Sequence, residues 1–199
     1  MKKGIVLAVI LVLVVSLGLW IVGAYNTLVK QEENVERCVG DVNAAYQKRA
    51  DLIPNIVESV KAYAEYEQNT LSAVIEARSR ATQTKLDAGN LTPEQFKAFQ
   101  QAQDEVSGAL SRLLVTVERY PDLKASQNFM DLNYKLEGCE NEISNARRLF
   151  NEAANQFNAT VRKFPSNIIA NQFGFEKKPY FDAKEGADVA PSVGDLLAQ

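Results

Sequence analysis

The sequence predicts an all-α fold: one N-terminal helix that crosses a membrane, then an elongated antiparallel bundle of long amphipathic helices. Three observations predict it. An uncharged run from Ile5 to Val22 opens the chain. Behind it, apolar residues recur at alternating spacings of three and four, the period that places them on one face of a helix. Caps and breakers then punctuate the chain at helix boundaries, and no alternating strand pattern competes with them.

The anchor comes first. Within Ile5–Val22 only Ser16, Gly18 and Trp20 depart from the aliphatics. Eighteen residues at about 1.5 Å each span roughly 27 Å, close to the hydrocarbon thickness of a bilayer. Trp20 and Tyr25 stand at one end, where amphipathic rings favour the membrane–water interface. Val22-Gly23-Ala24 would also suit a signal peptidase, but the apolar run exceeds the roughly 7–15 residues of a cleaved signal. The expectation is an uncleaved anchor over residues 1–25, with residues 5–22 in the lipid bilayer. Lys2, Lys3 and the amino group precede the span, against Lys30 and Arg37 after it. That bias is slight and favours an outward-facing domain.

The first bundle helix is expected over about 26–87. Its seam runs Val35, Val39, Val42, Tyr46, then Arg49 as an interruption, then Ile53, Ile56, Val60 and Tyr63, with Glu67 and Thr70 interrupting before Val74. Pro54 falls inside it and should kink the helix, because it lacks an N–H and crowds the preceding turn. Asp51 offers a local N-cap for a restart. The seam keeps its phase across Pro54, which favours one long kinked helix over a fold-back. Asp87-Ala88-Gly89-Asn90 marks the stop. Thr92-Pro93-Glu94-Gln95 opens the second helix with a cap, a proline at the first helical position and a capping-box glutamine. Its seam is Phe96, Phe99, Gln103, Val106, Leu110, Leu113, Val117 and Tyr120.

The third helix, roughly 126–164, carries two heptad rows. Phe129, Leu136, Ile143, Phe150, Phe157 and Phe164 form one; Leu132, Cys139, Ala146, Ala153 and Thr160 form the other. Large side chains facing small ones suit close, coiled-coil-like packing. Short turns make successive helices antiparallel. The lengths do not match, however. The segment over about 26–55 has an apolar seam and no long partner, so either Pro54 folds it back as a fourth helix or it packs on another chain.

Composition narrows the chemistry. The chain has no histidine, which removes Ser-His-Asp and Cys-His catalysis and every metal site that needs imidazole. Setting Lys2 and Lys3 aside leaves 20 basic against 25 acidic groups in residues 26–199, a net charge of −5. Nucleic-acid readers show a basic excess, so no nucleic-acid partner is expected. Cys38 and Cys139 have no metal or redox spacing, and two buried small side chains are favoured over a long-range disulfide. Glu137, Glu140 and Glu142 are candidates for calcium or magnesium, with a solvated surface as the plainer account and Arg147-Arg148 as intrahelical ion-pair partners. Asn141, Asn145, Asn151, Asn155 and Asn158 read as a solvent face or as a polar recognition strip. Arg49 on the seam needs a partner, since a charge at a core position costs stability and often sets register; Asp51 and Glu58 are too local to identify it, and a structural role is favoured over ligand binding. There is no phosphate loop, dinucleotide fingerprint or nucleophile elbow. No catalytic, cofactor or metal residues are assigned, and no small-molecule substrate is evident.

Taken together, Tyr25-Asn26-Thr27-Leu28-Val29, Gln47-Lys48-Arg49-Ala50-Asp51-Leu52-Ile53-Pro54-Asn55-Ile56-Val57, Tyr120-Pro121-Asp122-Leu123-Lys124-Ala125, Leu136-Glu137-Gly138, Ala146-Arg147-Arg148-Leu149-Phe150-Asn151-Glu152-Ala153 and Phe164-Pro165-Ser166 closely resemble the LemA family of bacterial membrane proteins, over about residues 20–195. The resemblance implies a single span in the bacterial inner membrane and a four-helix-bundle domain. It implies no established enzymatic activity and no catalytic residues. Genes of that family often neighbour membrane metalloproteases, which suggests partners of that kind.

From Ile168 the seam dissolves into Phe173-Gly174-Phe175 and Pro179-Tyr180-Phe181, aromatics expected to strap across the bundle and hide from water, or to dock a partner. Gly186, Pro191 and Gly194 beyond Ala183 predict a loose terminus. The chain thus divides into an anchor (1–25), a helical bundle (26–165) and a strap with tail (166–199). The expected function is a non-catalytic structural or interaction module of the bacterial envelope, self-assembling or binding an envelope protein. A membrane-shaping or membrane-sensing oligomer is the alternative, and a carboxylate- or serine-based hydrolase stands behind both.

Overall fold

The computed structural model describes residues 2–64 and 67–182, and these contain helices and connecting segments without a strand. The helices are α1 (Lys2–Lys61), α2 (Gln68–Gln83), α3 (Pro93–Val117), the single turn α4 (Pro121–Lys124), α5 (Gln127–Arg162) and α6 (Ser166–Phe173). The loose terminus expected beyond Ala183 lies outside the described residues.

α1 is one helix of 60 residues, about 90 Å at 1.5 Å per residue. It is long and apolar enough to cross a membrane, and residues 3–20 of it are exposed. Pro54 neither ends nor restarts it: the helix runs through. A proline at this position deprives the carbonyl four residues back of its helical donor, and that carbonyl belongs to Ala50. Arg78 of α2 supplies the missing donor, with Nε 2.7 Å from the Ala50 oxygen. Asp51 is no cap either; it accepts a bond from Gln47.

The long helix expected over 26–87 is therefore corrected. It breaks after Lys61, and α2 turns back antiparallel along α1, because its small stripe of Leu71, Val74, Ala77 and Ala81 allows close approach. α2 also stops at Gln83, four residues early. Leu86 beyond it is extended toward α1, where Asn43 donates to its carbonyl (2.9 Å) and accepts from its N–H (3.3 Å).

α3 starts as its sequence dictates, with Thr92 accepting from the Gln95 N–H at 3.2 Å and Pro93 in the first turn. α5 starts on Ser126, which accepts from the Phe129 N–H. Its 36 residues extend about 54 Å, enough to run back along the post-membrane part of α1. The apolar seam of α1 at Leu28, Val35, Val39 and Val42 is fully buried within the chain. The choice between fold-back at Pro54 and packing on another chain is resolved differently: α5 and α6 cover that segment. Phe164, expected at the end of the α5 seam, is instead 76% exposed, since Lys163 has extended backbone and takes Phe164 out of helical register.

The four long elements form an up-down-up-down bundle in the order α1, α2, α3, α5. α1 packs on α5 and α2, α2 packs on α3, and α3 meets α5 across the core where Phe96 stacks on Phe150 at 5.5 Å. The core is two clusters. The membrane-proximal one holds Leu28 to Tyr46 with Phe96, Phe99, Phe150 and Phe157; the distal one holds Ile53 to Ala64 with α2, most of α3 and the start of α5.

Candidate functional site

Arg49 lies between the two clusters, 2% exposed. One guanidinium nitrogen donates to Glu140 of α5 and to Ser107 of α3, both at 2.9 Å. The other donates to the Gln103 side-chain oxygen at 2.8 Å and its backbone carbonyl at 3.1 Å. The Tyr46 ring lies 5.1 Å from the charge. Buried Gln103 stood on the α3 seam in the sequence as an odd residue; it is there as the acceptor for Arg49. Four bonds from α3 and α5 converge on one α1 side chain, so the layer couples three helices at one height. Such a layer sets register, because sliding any helix by a turn leaves the charge unsatisfied.

The carboxylates do not form the candidate cation site. Glu140 pairs with Arg49, Glu142 with Lys48, and Glu137 accepts from Asn133. Among the described residues no three His, Cys, Asp or Glu groups converge as a metal site would. Arg147 and Arg148 are not their ion-pair partners. Arg148 pairs with Glu152; Arg147 donates to the Asp182 carbonyl at 2.7 Å and lies over the Phe181 ring.

The asparagine row divides. Asn141, Asn145 and Asn155 are exposed. Asn151 and Asn158, a heptad apart beside Phe150 and Phe157, grip the C-terminal segment instead. Asn151 donates to the Phe181 carbonyl (3.0 Å) and accepts from its N–H (2.8 Å). Asn158 does the same for Lys178, at 2.9 and 2.8 Å, and also donates to the Tyr180 hydroxyl. With Asn43 on Leu86, three amides each satisfy both backbone groups of an extended residue, which would otherwise lack a partner against the bundle. Phe181 thereby enters the core against Phe96, Phe99 and Phe150, at centroid distances of 4.4, 6.4 and 5.3 Å. The signal for the clamps was present in the heptad spacing of Asn151 and Asn158 alongside the phenylalanine row.

Cys38 and Cys139 are buried free thiols, and burial raises both above the ordinary thiol pKa. Burial likewise raises the Tyr46 phenol, against the opposing charges of Arg147 and Arg49.

Two open clefts mark the surface. One lies between α1 and α5, lined by Lys48, Leu52, Tyr134, Glu137 and Glu142, with a volume of about 430 Å³. The other, about 610 Å³, opens at the membrane-proximal end between the α2–α3 loop and the segment after α6, and includes Glu32, Thr92, Phe175 and Lys178. Beside it, Lys178 pairs with Glu32 at 2.7 Å.

Comparison with known proteins gives one consistent result. The model of the LemA family matches residues 39–194. Protein LemA of Metamycoplasma hominis is 26% identical over 190 residues, covering 94% of this chain and 83% of that protein. Magnetosome protein MamQ 2 of Paramagnetospirillum magneticum is 26% identical over 196 residues, covering 88% and 70%. Magnetosome protein MamQ of Magnetospirillum gryphiswaldense is 25% identical over 185 residues, covering 82% and 66%.

Proposed function

This chain belongs to the LemA family, and from that premise we propose that it is a membrane-anchored, non-catalytic interaction module of the bacterial cell envelope. In this reading residues 5–22 cross the inner membrane, the bundle faces outward, and partner binding or self-assembly is the activity. A membrane protease is one kind of partner the reading admits. The observation that carries it is that anchor and bundle share one unbroken helix. A bundle built on the same helix as its anchor is held at fixed height and angle over the bilayer, as a presenting scaffold requires. Exposed apolar side chains on its distal half, Tyr63, Ile75, Val115, Met130 and Tyr134, are the surfaces offered.

A photo-crosslinking residue placed at Tyr134 or Val115 of the full chain, in its native membrane, tests the proposal. Discrete adducts from these positions, and none from buried Val35, are expected. If neither exposed position captures a protein, the interaction reading fails.

The membrane-shaping reading has one observation in its favour: α6 packs on α1 at the end of the apolar run. Reconstitution into vesicles at high density, followed by electron microscopy, tests it; unchanged vesicle shape counts against it.

A further inference from the structure

We propose that α6 and its lead-in form a second membrane contact, an interfacial foot that inserts Phe164, Ile168 and Phe173 into the headgroup–acyl boundary beside the anchor. The inference rests on the reading of residues 5–22 as a membrane span and adds a lipid-binding surface to it.

The height of α6 is set by what it packs on. Ile169 and Ala170 belong to the membrane-proximal core, and the residues of α1 packed against that core begin at Ile21 and Ala24, within and just beyond the last turn of the apolar run. Tyr25 is three residues past Val22, about 4.5 Å along the axis. Its ring lies 4.9 Å from that of Phe173 and 5.8 Å from that of Phe175. An element whose Phe173 ring lies against Tyr25 sits where hydrocarbon gives way to headgroups.

At that height three large apolar side chains are exposed. Phe164 is 76%, Ile168 56% and Phe173 55% exposed. Phe164 stands in the lead-in before α6, Ile168 lies on the exposed side of the helix, and Ile169 and Ala170 face inward. Exposed Asn171 and Gln172 follow Ile168 by three and four residues, so α6 presents a mixed face in which Ile168 and Phe173 are the exposed large apolar side chains. Its rim carries exposed Arg162, Lys163 and Lys177, with Glu176 as the acidic neighbour. Among the described residues none of these three cations has a carboxylate within ion-pair distance, whereas Lys178 is held by Glu32. Aromatic and aliphatic side chains inside a cationic rim match an interfacial helix on anionic lipid. The occupant of this face is the bilayer, because α6 packs on α1 beside the end of the apolar run, and that end fixes the bilayer surface next to it. Gly174 keeps the foot short. It adopts φ 77°, a left-handed cap that turns the chain back to the bundle, and the Phe175 N–H bonds the Ala170 carbonyl at 3.0 Å.

The chain contains one tryptophan, Trp20, so three full-length single-tryptophan proteins suffice: the native chain, Trp20→Phe with Ile168→Trp, and Trp20→Phe with Tyr134→Trp. Each is reconstituted in vesicles of phosphatidylcholine and phosphatidylglycerol carrying brominated acyl chains. Circular dichroism confirms that the surface substitutions leave the helices intact. Tryptophan at 168 is expected to be quenched within about twofold of Trp20, and tryptophan at 134 at least about fivefold less. Quenching at 20 without quenching at 168 overturns the foot while leaving the anchor standing. Absence of quenching at Trp20 overturns both. Shielding of position 168 from aqueous iodide without lipid quenching, relieved by diluting protein in lipid, means that a second copy covers the face, and also overturns the proposal.

Discussion

Arg49 shows what one residue decides. Its side chain is almost wholly buried while its partner Glu140 is 42% exposed, so the pair is asymmetric: the cation has lost its water and the carboxylate has kept much of it. Removing the carboxylate leaves the guanidinium with only neutral acceptors, Gln103 and Ser107. Glu140→Ala is therefore expected to cost about 1–3 kcal/mol in urea denaturation followed by circular dichroism in detergent. Replacing the whole layer with apolar side chains, Arg49→Met with Gln103→Leu and Glu140→Leu, is expected to cost less than the single change, since no buried charge is left behind. That a polar layer exists was legible in the seam, where Arg49 replaced an apolar residue. Its partner was not, because Glu140 lies 91 positions away and its register against α1 depends on how α5 packs.

At the scale of the element, the lesson is in Pro54 and Arg78. Proline inside a helix signals a break when the helix is considered alone. Here the orphaned Ala50 carbonyl finds a donor on a neighbouring helix, so the proline becomes a tie between α1 and α2. Arg78→Met is expected to destabilise the chain by about 1–2 kcal/mol. In a Pro54→Ala background, where Ala50 regains its helical donor, that cost should fall by about 0.5–1 kcal/mol, a coupling that a double-mutant cycle measures. Equal costs in both backgrounds would show that Arg78 acts some other way. Local signals were reliable where the physics is local: Thr92 caps the helix it was placed to cap. They misjudged the reversal after Lys61, because the heptad phase continues through it and only packing shows the turn. The Asn43 clamp left no local signal, and the heptad spacing of Asn151 and Asn158 did not say which backbone they would hold.

For the whole molecule, the proposed outward orientation has a direct check. Tyr134→Cys in spheroplasts should react with a membrane-impermeant maleimide before permeabilisation. Cys38 and Cys139 supply little background: burial raises both from an ordinary value near 9.0, which shifts thiolate formation to higher pH and keeps them protonated at pH 7. Their labelling should be slower than that of the new thiol by about tenfold or more. By linkage, the same shift contributes stability below pH 9 that declines as pH rises through the folded-state pKa. Labelling of Tyr134→Cys only after permeabilisation would place the bundle inside.

The all-α class, the apolar span, the Thr92 cap and most of the heptad rows were determined by the sequence alone, because each depends on residues within a few turns of one another. Tertiary structure decided where α1 ends, which carboxylate meets Arg49, that α5 covers the membrane-proximal seam, and that α6 stands beside the anchor. These depend on contacts between segments far apart in the chain, whose register follows from packing and from the mutual satisfaction of buried polar groups.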